Sequence, residues 1–391
     1  MRGAPAVREA EHRLRRLPDR PAPGEAEAGD RAWRVVEAAY AERPPRAARA
    51  RPGWRLALAA AIVALALAAA LTPAGARVGD WIGDRLSSGA ENARPAFAGL
   101  PKGGEVLAVG DAGAWVVYAN GGLQRVGSFS EAGWSPHGLH VVGARGRRLE
   151  AVTPTGTVKW TLARRSAVHH PAWSPGDGFR VAYLAGDTVR VVAGDGTEDH
   201  LVRRDAAPVT PAWRPGGGYV LTYAAARGRI ETVNADSGRR VWVLRTSDRP
   251  TALAWTGDGR RLVELSARGL RVYDRRGRPV LARRLSGARA LALHPSGRRA
   301  AVTVAGRGGT RVLSVPLSAD GRARPLVTGL GRVDGTAWSP DGRRLLVASR
   351  DTDQWLLVGP GRRVRPLSGV SGELGAGAGF PRVAGWCCPG R

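Results

Sequence analysis

The stretch Ala337-Trp338-Ser339-Pro340-Asp341-Gly342-Arg343-Arg344-Leu345-Leu346-Val347 decides the fold. A short apolar run ends at a Trp, a Ser-Pro-Asp-Gly turn follows, and a second apolar run leaves it. Asp-Gly beside an apolar run predicts a hairpin, because Gly accepts a positive φ without steric cost. The phrase recurs as Ala172-Trp173-Ser174-Pro175-Gly176-Asp177-Gly178 and Gly133-Trp134-Ser135-Pro136-His137-Gly138. Looser copies are Ala212-Trp213-Arg214-Pro215-Gly216-Gly217, Ala254-Trp255-Thr256-Gly257-Asp258-Gly259 and Leu293-His294-Pro295-Ser296-Gly297. The anchors at 134, 173, 213, 255, 294 and 338 stand 39, 40, 42, 39 and 44 residues apart. A period of roughly 40–45 residues with four short strands per unit is that of propeller blades.

With these turns, the chain resembles the WD40-like propeller repeats of TolB-like proteins over about residues 100–391. The resemblance implies an all-β propeller and leaves its ligand open. From Glu105 the sequence predicts strands over Val106–Val109, Trp115–Tyr118 and Leu123–Phe129, with no Trp-turn strand before them. The missing strand stands at the other end, in Arg382-Val383-Ala384-Gly385-Trp386-Cys387-Cys388-Pro389. Six complete blades are expected from near 132, 171, 211, 252, 291 and 335. A seventh joins the C-terminal strand to the three N-terminal ones, giving a seven-bladed ring over 99–391. Closing the ring this way removes two free sheet edges.

The N-terminal 98 residues read differently. Residues 1–55 are polar and rich in Pro and Arg, which predicts a mostly disordered tail. Asp30 can cap a short helix through Trp33, Val36 and Tyr40 that Pro44 and Pro45 stop. Leu56 to Ala76 is 21 residues without a charge, and ~20 residues suffice to cross the hydrocarbon core. Arg43, Arg46, Arg49, Arg51 and Arg55 precede it, whereas Arg77 and Arg85 beyond it are balanced by Asp80 and Asp84. This asymmetry predicts a single-pass membrane anchor with a cytoplasmic N-terminus and an extracytoplasmic propeller. Trp54 and Trp81 would sit at the two interfaces. Ala74-Gly75-Ala76 looks like a signal-peptidase site, but the preceding segment is far longer than an ordinary signal n-region. Residues 77–98 read as a stalk, with an amphipathic turn through Val78, Trp81, Ile82 and Leu86.

The 391 residues carry a formal net charge of +27 and include 54 Gly and 27 Pro. Only Lys102 and Lys159 are lysines, so arginine supplies nearly all the positive charge, a skew that a GC-rich genome also produces. Two adjacent cysteines cannot build a disulfide framework. For Cys387 and Cys388 a vicinal disulfide, two free thiols and an intermolecular bridge all stay open. The predicted topology removes nucleic acid as a partner and leaves lipid headgroups and envelope polymers as available polyanions.

The segments Ala151–Trp160 and Val233–Trp242 are similar to repeats of quinoprotein dehydrogenase propellers, a family that also uses a vicinal cysteine pair. The same pattern is ordinary blade construction: an apolar strand, a polar turn with Gly, and a Trp packing between blades. No carboxylate set for a metal can be assigned, and no Gly-x-Ser-x-Gly elbow is present. His137 and His140 flank a turn without a third ligand, and Asp195 in Gly194-Asp195-Gly196-Thr197 reads as a turn residue. Neither an enzyme nor a cofactor or metal is expected. The expected function is binding or sensing of an envelope component or protein at one rim of the channel, where loops enter the inner strands. Candidate residues there are His169, His170, Arg249, Arg289, Asp334 and Arg382. The competing expectation is a transmembrane regulator whose tail holds a cytoplasmic partner such as a sigma factor.

Overall fold

The computed structural model describes residues 96–388 except 102, 177, 178 and 376. The tail, the apolar stretch 56–76 and the stalk up to residue 95 lie outside the described residues. Among the described residues no helix is long and apolar enough to cross a membrane.

Seven four-stranded antiparallel sheets follow one another around a ring. Blade 1 orders Arg382–Cys387, Glu105–Gly110, Gly113–Val117 and Leu123–Gly127 from its inner strand outward. Blades 2 to 7 have inner strands Glu131–Trp134, Val168–Trp173, Ala212–Trp213, Pro250–Trp255, Ala288–Leu293 and Val333–Trp338. Each inner strand touches the next, and that of blade 7 touches that of blade 1, so the channel is lined all round. The C-terminal strand pairs as the repeat pattern requires, with Val106 opposite Trp386 and Ala108 opposite Val383.

Burial explains why the second strands read as apolar runs and the fourth as alternation. Every residue of Val220–Ala225 is buried, since neighbouring blades cover both faces of the sheet. The outer strand Arg240–Arg245 alternates exposed and half-buried because one face meets solvent. Apolar clusters sit between blades: Leu184 and Val189 of blade 3 pack with Trp213, Leu221 and Tyr223 of blade 4. Ala96–Gly99 form a 3-10 turn whose Phe97 is fully buried 4.8 Å from the ring of Trp355. The last residues of the segment read as a stalk therefore belong to the core.

The recurring turn is held by its own side chains. Gly342 donates its N–H to the Ser339 carbonyl (2.8 Å), Arg344 donates to Ser339 Oγ (2.9 Å) and Arg343 to Asp341 Oδ1 (3.0 Å). Thr256 and Asp258 repeat these roles in blade 5. Consecutive turns also touch: His294 Nε2 lies 2.9 Å from the Gly342 carbonyl, and a Cβ on Gly342 would meet that ring at 2.6 Å.

The two quinoprotein-like segments place their Trp residues between blades. Trp160 donates its indole N–H to the Gly194 carbonyl (2.8 Å) and Trp242 to the Arg275 carbonyl (3.1 Å), each in the following blade. A Cβ on Gly196 would strike Trp160 at 2.6 Å, so that Gly keeps the close approach. Blade docking accounts for the pattern. At the closure, Cys387 and Cys388 are joined as a vicinal disulfide. Their sulfurs lie 3.8 Å from the Ser135 and Pro136 carbonyls, against the turn of blade 2.

Candidate functional site

The inner strands all run the same way, so their first residues gather at one mouth, the entry mouth, and their Trp-turns at the other. In five blades the inner strand carries one extra residue close to its start. His170-Pro171 face a single partner position in blade 3 and Asp334-Gly335 do so in blade 7. Thr251, Arg289 and Ala384 are the added residues in blades 5, 6 and 1. A bulge interrupts alternation and re-aims the side chains beside it. His170 accordingly has a positive φ of 55°. Gly335 has a φ of 121°, and a Cβ there would meet the Val383 carbonyl oxygen at 2.3 Å. Only glycine lets the blade 7 bulge approach blade 1 so closely.

An arc of polar groups runs across blades 7, 1, 2 and 3, with Asp334 and His170 in bulges. Arg332 Nε donates to Asp334 Oδ1 (2.8 Å) and Arg350 to Asp334 Oδ2. Burial works to raise the Asp334 carboxyl, but those two guanidinium bonds prevail and hold it below the usual range. Arg382 donates to the Ser130 carbonyl at 2.6 Å. Burial lowers its pKa, opposed by the charges of Glu131 and Asp334. Glu131 accepts the backbone N–H of His170 at 2.6 Å and stands 3.5 Å from its Nδ1. On the other side Thr210 Oγ1 lies 3.2 Å from the same nitrogen, bringing in blade 4. The rings of His169 and His170 are 5.9 Å apart.

Of the six residues expected at the rim, four therefore lie together: Asp334, Arg382, His169 and His170. Arg249 and Arg289 are exposed, and no described interaction joins them to the arc. Glu131 and Thr210 escaped the sequence reading although a signal was present. Counting back three or four residues from each anchor Trp reaches Glu131, His170, Thr210, Thr251, Asp334 and Arg382. Chemically the arc offers both signs of charge and two imidazoles on a fixed frame. Among the described residues no group of three His, Cys, Asp or Glu could hold a metal ion.

The environment of His170 yields a pH expectation. Desolvation lowers its pKa from 6.5, Glu131 raises it, and His169 and Arg382 lower it further, with a net decrease. The folded protein thus takes up this proton less readily than the unfolded chain. His170 contributes stability above pH 6.5, and that share is lost as pH falls toward the folded value. A histidine-selective NMR titration, assigned with His170→Asn, is expected to place the midpoint below 6.5. A midpoint at or above that value contradicts the described environment.

No family model and no curated protein matches this chain. Solved structures do. The β-propeller domain of Myceliophteria thermophila Cps50 (Swd1) is 19% identical, with a TM-score of 0.52 over 62% of this chain and 86% of that one. A chain of the mitotic checkpoint complex is 18% identical, with a TM-score of 0.51 over 61% of this chain and 76% of that one. A chain of Kuenenia stuttgartiensis hydrazine synthase is 19% identical, with a TM-score of 0.50 over 59% and 76%. At such identities the likeness establishes the fold: a seven-bladed, WD40-like β-propeller.

Proposed function

We propose that this protein is a binding or sensing scaffold whose entry mouth takes a protein or an anionic envelope component. The observation that carries this reading is the arc itself. Bulges in the inner strands turn Asp334 and His170 out of sheet alternation and bring them beside Arg382 and Glu131. A fold that needed only closure would gain nothing from charged groups half-buried there, since each loses hydration without entering the apolar core. The scaffold is membrane-anchored through residues 56–76, with the propeller outside and the tail in the cytoplasm. The 21 uncharged residues and the arginines before them support this topology.

Two arms test the reading with the full-length protein. A reporter enzyme fused after Arg391 is expected to report an extracytoplasmic location; a cytoplasmic signal overturns the topology. In the second, crosslinked partners are captured from the envelope by wild type, by Glu131→Gln with His169→Ala, and by Arg249→Ser. The double variant is expected to lose at least tenfold of the captured material and Arg249→Ser to lose none. Equal capture by all three removes the arc as the binding surface.

A further inference from the structure

We propose that the Trp-turn face of blades 5–7, opposite the arc, is a docking surface for a linear phosphate-bearing polyanion. Four of the six strand-to-strand turns of that face are residues 256–261, 274–278, 294–299 and 339–344. They hold nine arginines against three aspartates. Turn geometry does not demand them. The equivalent turns of blades 2 and 3, residues 135–140, 153–157, 174–180 and 194–199, hold a single arginine, Arg180, which pairs with Glu198 and Asp236. They also include Asp195 and Asp199. Within the same turn pattern, then, the blade 5–7 part of the face is basic and the blade 2–3 part neutral to acidic. A compositional excess of arginine would not divide itself in this way.

The second observation is where the counter-charges are spent. At the entry mouth carboxylates are spent on ion pairs, Asp334 with Arg332 and Arg350 and Asp248 with Arg268 and Arg271, although Arg249 and Arg289 are exposed there without such a partner among the described residues. On the Trp-turn face the aspartates are used as turn acceptors. Asp274 takes the backbone N–H groups of Arg276 and Arg278 (2.8 and 2.9 Å), and Asp341 and Asp258 do the same for Arg343 and Arg260. Among the described residues Arg260, Arg275, Arg276, Arg298 and Arg343 are exposed, and no ion pair with a carboxylate is formed by any of them. The turns are neighbours, since a Cβ on Gly297 would meet Thr256 at 3.2 Å and His294 reaches Gly342. Unpaired guanidinium groups on a rigid frame suit phosphate, which accepts their fork of N–H donors bidentately. A polymer is favoured over a bilayer. No large apolar side chain is exposed in these four turns, whereas interfacial binding normally inserts one. This surface stands independently of the function proposed for the entry mouth.

Fluorescence anisotropy of labelled long-chain inorganic polyphosphate with the full-length protein tests the surface, with salt as the second variable. The four-site variant Arg260→Ser, Arg275→Ser, Arg276→Ser, Arg343→Ser alters exposed positions only. It is expected to weaken binding at least tenfold, and to reduce the slope of log K against log salt by roughly 0.7 for each phosphate no longer neutralised. The control Arg145→Ser, Arg227→Ser, Arg307→Ser, exposed on the opposite face, is expected to retain affinity within about twofold. Equal loss in both variants means diffuse charge attraction and overturns the proposal, as does wild-type binding by the four-site variant. Vesicles of anionic phospholipid that bind the four turns more tightly than polyphosphate overturn the polymer in favour of a membrane.

Discussion

Deleting residues 380–391 is expected to remove several kcal/mol of stability and to replace one cooperative melt by a broad one. Phe380, Val383 and Trp386 are all more than nine-tenths buried in the closed ring. Losing each such side chain costs about 2 kcal/mol of apolar burial, against a total stability of ~5–15 kcal/mol for a domain. Glu105–Gly110 would also lose its inner partner and face the channel as an open edge, a template for aggregation. The double variant Cys387→Ser, Cys388→Ser separates the strand from the cross-link. It is expected to melt close to wild type, since so short a loop constrains little chain entropy. Thermal denaturation of the three proteins decides the matter. A truncated chain that melts like the intact one would show that the ring does not depend on this closure.

Trp355→Ala should cost about 3–5 kcal/mol, the range for removing a large aromatic side chain from a packed core. Trp355 is fully buried at the seam where blade 7 meets the N-terminal turn and the approach to the closing strand. It packs on Phe97 and donates its indole N–H to the Pro381 carbonyl at 2.9 Å. Trp355→Phe keeps much of the apolar packing but leaves that carbonyl unpaired, for about 1–2 kcal/mol. Urea denaturation of both variants gives the two values. A loss below about 1 kcal/mol for the alanine variant would mean that the seam repacks around the void.

The blades were legible because their signals are local. A Trp, a hydroxyl side chain, an Asp and a Gly within six residues form a turn whose hydrogen bonds close on themselves, as those of Ser339, Asp341 and Gly342 do. Repetition then announces the ring, and an unmatched strand at each end announces how it closes. The rim was only partly legible. His170 and Asp334 sit in bulges, and one added residue in a strand of six is too small a break in alternation to be read from a single sequence. Glu131 lacks a bulge altogether, and its role appears only when its carboxylate is seen to accept the His170 N–H. Arg249 and Arg289 looked equivalent to Arg382 by position, yet only Arg382 bonds across to the neighbouring blade, at the Ser130 carbonyl.

The number of blades, their order, the turn chemistry and the partner of the first strand are therefore written in local sequence. Tertiary structure alone decided which charges meet: Asp334 with Arg332 and Arg350, Asp248 with Arg268 and Arg271. It also decided which arginines face solvent without a carboxylate. The reason is range. Turn formation and alternation act over a few residues and leave a periodic trace. Pairing between blades joins residues some 40 to 250 positions apart, as in Thr210 with His170 and Arg382 with Ser130, and depends on side-chain directions that exist only once the ring is closed.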